Sequence, residues 1–149
     1  MIRFPTISEA SSIAIHSLAY LADSEGTVNV NLLAEQTGFS KNHISKVMQT
    51  LVRHGYLNSG RGPRGGFMVR KNADEISLLE IIELIEGRRQ GHYCGISQDQ
   101  CPFETCVFGD LPEEFERKFR EFYAGRTLAD VKRVQPETET ERVRGGKSE

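Results

Sequence analysis

The stretch GFSKNHISKVMQTLVRHGYL, residues 38–57, decides how the rest of the chain is read. Ile44, Val47, Met48 and Leu51 recur at the spacing that lines one face of a helix, and Asn42, Lys46, Gln49 and Arg53 fall on the opposite face. Ser40 stands where an N-cap belongs, because its hydroxyl can accept from a backbone N–H of the first turn. Gly55 ends the helix. Gly38 supplies the turn through which the chain arrives from a shorter helix, residues 31–37, built around Leu32, Leu33 and Ala34. Two helices joined this tightly, the second with a cationic and donor-rich outer face, predict a helix–turn–helix.

Downstream, Tyr56-Leu57 and Phe67-Met68-Val69 predict two short strands around the loop SGRGPRGG, residues 59–66. The fold class expected is therefore mainly α with a small β-wing, a winged helix–turn–helix. Upstream, Ile15, Leu18, Ala19 and Ala22 have helical spacing within residues 11–24, with Ile13, His16 and Tyr20 on a neighbouring stripe. Ser77 and Glu80 have the spacing of a capping box at the head of a helix through Leu78, Leu79, Ile81, Ile82, Leu84 and Ile85. That helix is apolar on more than one side, so part of it is expected to meet a partner. Residues 87–111 lose all periodicity, and a loop of that length needs a functional or metal-based reason to be ordered. Asp110 and Glu113 repeat the capping-box spacing, and the next helix sets Phe115, Phe119, Phe122 and Tyr123 along one aromatic face, read as a dimerisation surface. Thr127 caps a last turn through Leu128, Ala129 and Val131. The expected organisation is a DNA-reading domain over residues 1–86, a cysteine loop over 87–111, a C-terminal dimerisation helix and turn over 112–131, and a disordered tail over 132–149.

A chain of 149 residues with 38% hydrophobic side chains suits one compact domain with an attached element and excludes a large multidomain enzyme. The net charge of -2 is unevenly spread. Residues 1–71 hold 8 basic and 4 acidic side chains, residues 72–131 hold 6 and 13, and residues 132–149 hold 5 and 4. A basic front followed by an acidic middle suits a nucleic-acid reader joined to something else. No apolar run approaches the roughly 20 residues of a membrane span, and no basic segment leads into an apolar one at the start, so a cytoplasmic protein without a membrane partner is expected. No nucleophile, base and orienting group emerge as a set, so no enzyme activity is expected.

In a helix–turn–helix the first residues of the second helix meet base edges, which selects Ser40, Lys41, Asn42, His43 and Lys46 as DNA contacts. Asn42 suits adenine, and Lys46 suits guanine or a phosphate. A polar face that merely meets water would explain Lys46 or Gln49 singly, but not beside a basic glycine-rich loop. In that loop the glycines let the backbone approach a duplex closely, while Arg61 or Arg64 reaches a phosphate or the minor groove. The loop lacks the Walker pattern of a nucleotide cradle.

Cys94, Cys101 and Cys106 are separated by six and four residues, too widely for a redox CxxC pair and unlike paired zinc hairpins. An odd number cannot close a disulfide framework within a monomer. Thiolates are soft ligands for zinc and iron–sulfur clusters, and closing the loop around such a centre would order it. Three thiolates leave one position short. His92, Asp99 and Glu104 are candidates within the loop, and His16 is a candidate arriving from the first helix of a partner subunit. Unligated buried thiols, and a His16 satisfied within its own helix, are the plain alternatives.

Across residues 1–131 the chain resembles the bacterial family of winged-helix regulators that includes IscR, NsrR and RsrR. The pieces that carry the likeness are GFSKNHISKVMQTLVRHGYL, the wing RGPRGG, the helix ISLLEIIELIEG, the three-cysteine loop and TLADV at 127–131. The resemblance implies a homodimeric transcription regulator on double-stranded DNA, with a palindromic operator. An iron–sulfur cluster (4Fe-4S or 2Fe-2S) would tune its affinity in response to redox state, nitric oxide or cluster supply. Cys94, Cys101 and Cys106 fall on the family's cluster ligands, Lys41, Asn42 and His43 on its recognition helix, and Arg61 and Arg64 on its wing. The fourth ligand varies within the family: Gly109 stands where IscR-like members carry a histidine, Ser12 where NsrR-like members carry an aspartate, and His16 matches the histidine of RsrR-like members. A zinc- or thiol-switched DNA-binding regulator and a protein-interaction adaptor are the competing readings.

Overall fold

A computed structural model describes residues 7–88, 94 and 96–132; the expected tail from residue 133 and the candidate His92 lie outside the described residues. Helix α1 (Glu9–Ala22) runs through the centre of the molecule. Ser8 caps it, Oγ accepting from the Ser11 N–H at 3.1 Å. Ile13, Ala14 and Leu18 are wholly buried and Leu21 almost so, because α1 packs against the helices that follow and against the wing. Ala22, placed on the buried stripe by its spacing, is exposed at the helix end. One polar group inside this core is poorly served: the buried Ser17 hydroxyl has no hydrogen-bond partner among the described residues. Ser17→Ala is therefore expected to raise stability by about 1 kcal/mol, read as a higher urea midpoint with an unchanged slope.

Helix α2 (Val30–Thr37) starts one residue earlier than its apolar pattern indicates, because Asn29 Oδ1 caps it by accepting from the Leu32 N–H at 2.9 Å. Leu33 alone of its residues is fully buried, and Leu32 faces outward. Gly38 turns the chain in the left-handed region, φ +76°, a conformation that glycine adopts without a steric penalty. Helix α3 (Lys41–Arg53) matches its expected bounds. Ser40 Oγ accepts from the His43 N–H at 3.2 Å, and Ile44, Val47, Met48 and Leu51 enter the core. Each such burial is worth roughly 1.5–3 kcal/mol before ordering costs.

The wing consists of β1 (Leu57–Gly60) and β2 (Gly66–Val69), antiparallel, with Leu57 opposite Val69 and Gly60 opposite Gly66. Pairing continues further into the glycine-rich stretch than expected, so the open loop is only residues 61–65, and Tyr56 precedes the sheet. A contact that local periodicity cannot reveal anchors the wing. Val28 bridges Phe67 through two backbone hydrogen bonds of 2.9 and 2.8 Å, tying β2 to the segment that leads into α2.

Helices α4 (Leu78–Glu86) and α5 (Leu111–Ala124) form a hairpin with the cysteine loop at its closed end. Its open end is stitched by a bridge between Ser77 and Thr127, with the Leu78 N–H donating to the Arg126 carbonyl at 2.8 Å and the Leu128 N–H to the Ile76 carbonyl at 3.0 Å. The expected last turn, Leu128–Asp130, thereby drives Leu128 into the core, and Thr127 and Asp130 make a complete capping box. The two capping boxes expected earlier are incomplete. Ser77 Oγ accepts from the Glu80 N–H, but the Glu80 carboxylate is drawn away to the Tyr56 hydroxyl. Asp110 has ψ near 1° and makes no side-chain cap bond, so α5 opens instead on Leu111 and Pro112. Phe119 and Tyr123 pack on the core, whereas Phe115 and Phe122 remain substantially exposed, so the chain's own core takes up part of the aromatic face expected to serve dimerisation.

Candidate functional site

The capped start of α3 presents Lys41, Asn42, His43 and Lys46 at the surface or half-buried beside it, with hydrophobic neighbours facing inward. Replacing the cap, Ser40→Ala, is expected to cost about 1 kcal/mol of stability and is measured by thermal unfolding. On the wing, Arg61 and Arg64 are exposed and have no ion pair among the described residues. The Arg64 carbonyl accepts from Thr27 Oγ1 at 3.1 Å, fixing the base of the loop that carries both arginines. Gly65 and Gly66 permit this close approach. A Cβ on Gly65 would lie 2.7 Å from the Gly60 carbonyl oxygen, and one on Gly66 would lie 2.7 Å from that of Val28.

The wing base is joined to α4 by three side chains. Tyr56 donates its hydroxyl to Glu80, Lys71 Nζ lies 4.4 Å from the centre of the Tyr56 ring, and the same ammonium is 3.8 Å from Glu80 Oε1. Burial, then the hydrogen bond to Glu80 and its charge, hold the Tyr56 phenol well above the usual range, so it remains a donor. Sequence reasoning missed this set, since residues 56, 71 and 80 share no local pattern.

At the closed end of the α4–α5 hairpin, Cys94, Cys101 and Cys106 all line one cavity of about 340 Å³, together with Phe103, Phe108 and Glu104. All three are free thiols; Cys94 and Cys101 are half-buried and Cys106 is exposed. Among the described residues no three His, Cys, Asp or Glu side chains stand close enough to hold a single metal ion. Asp99 does not line this cavity. Glu113, read from spacing as a capping residue, does. Gly109 closes the turn after Cys106, its N–H donating to the Cys106 carbonyl at 3.1 Å with φ +58°, in the left-handed region that glycine adopts without steric penalty.

The hairpin's closed end is also tied into the fold. Glu83 receives Arg120 Nη1 from α5 at 2.5 Å and Arg88 Nε from the loop entrance at 3.5 Å. Glu86 Oε1 accepts from the Ser8 N–H at 3.1 Å and from Ser11 Oγ at 2.5 Å.

His16 lies elsewhere, in a second cavity of about 360 Å³ with Tyr20, Gln36, Thr37 and Lys132, and the two cavities share no lining residue. Its Nδ1 is 2.7 Å from the Ser12 carbonyl oxygen. A carbonyl only accepts, so Nδ1 carries the proton, and in the neutral ring Nε2 keeps its lone pair for a ligand.

The sequence profile of the family described as Rrf2, iron-dependent transcriptional regulator, matches residues 7–133. The chain belongs to the Rrf2 family. It is a DNA-binding transcription regulator and not an enzyme. Among relatives of this Rrf2 chain, a putative HTH-type transcriptional regulator of Aquifex aeolicus is 29% identical, the match covering 86% of this chain and 92% of that one. The fold is shared with solved structures, among them the following two. CymR (YrzC), the global cysteine regulator of B. subtilis, superposes with a TM-score of 0.69 at 22% identity over 84% of this chain and 94% of its own. IscR of T. potens superposes with a TM-score of 0.67 at 21% identity over 88% and 93%. Among the described residues of this Rrf2 protein no helix is long and apolar enough to cross a membrane.

Proposed function

We propose that this Rrf2 protein is a homodimeric regulator whose operator affinity is set by an iron–sulfur cluster held by Cys94, Cys101 and Cys106. The observation that carries this reading is the convergence of three free thiols on one cavity at the end of the α4–α5 hairpin. The donor chemistry suits the group: three soft sulfur ligands line one cavity whose wall is partly apolar. When bound, the cluster supplies a redox- and nitric-oxide-reactive centre. The fourth ligand proposed is His16 of a second subunit, because its Nε2 is free to bind while its own chain keeps it in a different cavity. Phe103, Val107, Phe108, Leu111, Phe115 and Phe122 are each more than two-fifths exposed, and this apolar surface supports pairing of two subunits around a twofold axis.

The chain's own residues link the loop to the DNA-reading face. Glu83 holds the loop entrance against α5, and Glu86 holds the end of α4 against the first turn of α1. Tyr56, Lys71 and Glu80 join α4 to the wing. A changed loop would shift the wing and recognition helix of each subunit relative to a palindromic duplex, with Ser40, Lys41, Asn42, His43 and Lys46 in the major groove and Arg61 and Arg64 at the wing. Switching requires two states of unequal DNA affinity.

The test is anaerobic purification, iron and sulfide analysis, absorption and Mössbauer spectra, and duplex titration of holo and apo forms. Equal affinity in all cluster states would refute switching. Zinc in place of iron and sulfide, or a reversible thiol change without metal, would replace the cluster by those chemistries. Replacing Arg61 and Arg64 by alanine is expected to weaken duplex binding about tenfold and to flatten the logarithmic salt dependence by one to about two phosphate equivalents, leaving iron content unchanged.

A further inference from the structure

The residues expected to meet DNA differ in one respect. Lys41 and Lys46 have no ion pair among the described residues, whereas His43 Nδ1 stands 3.4 Å from Glu9 Oε2 of α1. Glu9 has the wrong sign for a surface that meets phosphates, and its side chain is 62% exposed, so core packing does not account for its place. The backbone beneath it is held. Ser8 N–H and Ser11 Oγ both donate to Glu86 Oε1, and Ser11 is fully buried, so this turn cannot swing away from α3 as a loose terminus would.

We infer that Glu9 is an intramolecular competitor for the recognition helix: its carboxylate occupies His43, and a duplex must take His43 from it. The inference deepens the DNA-binding reading of α3 and rests on it. An exposed pair of this kind contributes little to folding. Its effect belongs instead to the bound state, where His43 released from the carboxylate can donate to a phosphate oxygen or to the acceptor edge of guanine. Glu9 would thus hold operator affinity below what α3 and the wing reach without it, and would make His43 a point at which α1, fastened to the end of α4, bears on DNA recognition.

The experiment is a double-mutant cycle on the full chain, handled anaerobically throughout. Unaltered protein, Glu9→Gln, His43→Ala and the double variant are titrated with a duplex that the unaltered chain selects from a randomised pool. Glu9→Gln keeps the size of the side chain and leaves the Ser8 cap intact, and thermal unfolding confirms equal folding of all four. Glu9→Gln is expected to bind about three- to fivefold more tightly, and the gain is expected to fall below about twofold when His43 is alanine. Unchanged or weaker binding by Glu9→Gln overturns the inference, since Glu9 would then be neutral or itself a DNA contact. An equal gain in both backgrounds also overturns it, because the carboxylate would act as a general charge and not through His43. Binding by none of the four proteins overturns the DNA-binding reading itself, a result distinct from either.

Discussion

Gly66→Ala is expected to lower duplex affinity by at least about tenfold and the Tm by roughly 5–10 °C. The added Cβ would lie 2.7 Å from the Val28 oxygen, 2.8 Å from the Val28 carbonyl carbon and 3.2 Å from the Asn29 nitrogen. All three are backbone atoms, so no flexible side chain can move aside. Val28 is itself bonded to Phe67 on both sides, and Asn29 caps α2, so the strain spreads from the wing to the start of the helix–turn–helix. Overpacking of this kind typically costs about 1–3 kcal/mol. The larger effect falls on DNA, because β2 must shift and carry Arg61 and Arg64 away from their place. Thermal unfolding and duplex titration of the same preparation check both parts. Unchanged values in both would show that the Val28–Phe67 bridge does not position the wing.

Replacing any one of Cys94, Cys101 or Cys106 by serine is expected to reduce the iron and sulfide of anaerobically purified protein by more than about tenfold. None of the three thiols is fully buried, so apo stability should change by less than about 0.5 kcal/mol, which separates lost ligation from lost folding. His16→Ala is expected to behave differently, retaining part of the iron with an altered spectrum, because it removes one ligand of a set still anchored by three thiolates. Full iron and sulfide in any cysteine variant would remove that residue from the ligand set. An unaltered spectrum in His16→Ala would leave the fourth position to a residue of the cavity wall, where Glu104 and Glu113 stand.

The helix–turn–helix was legible because its information is local. Ser40 as cap, Gly38 as turn and four apolar residues at helical spacing specify α3 without reference to anything distant, and the observed bounds agree. The glycines and arginines of the wing and the three cysteines were legible for the same reason, as residue types with few other uses at that spacing. What stayed hidden depends on residues far apart in the chain. Glu80 has the spacing of a capping residue, yet its carboxylate goes to Tyr56, because a partly buried hydroxyl competes more strongly for it than a backbone N–H at the helix end. Glu113 has capping spacing too, yet it lines the thiol cavity.

The amino-acid sequence by itself determined the class of this protein, a winged helix–turn–helix with a three-thiol loop and an aromatic C-terminal helix, since these follow from periodicity, caps and side-chain chemistry. Only the tertiary structure decided that Val28 anchors the wing, that Thr127 stitches the α4–α5 hairpin shut, that the thiols share one cavity apart from His16, and that Glu9 reaches His43. The physical reason is that hydrogen bonds, ion pairs and cavity walls form between whichever groups the packed core brings within a few ångströms, and sequence spacing carries that information only inside a single element.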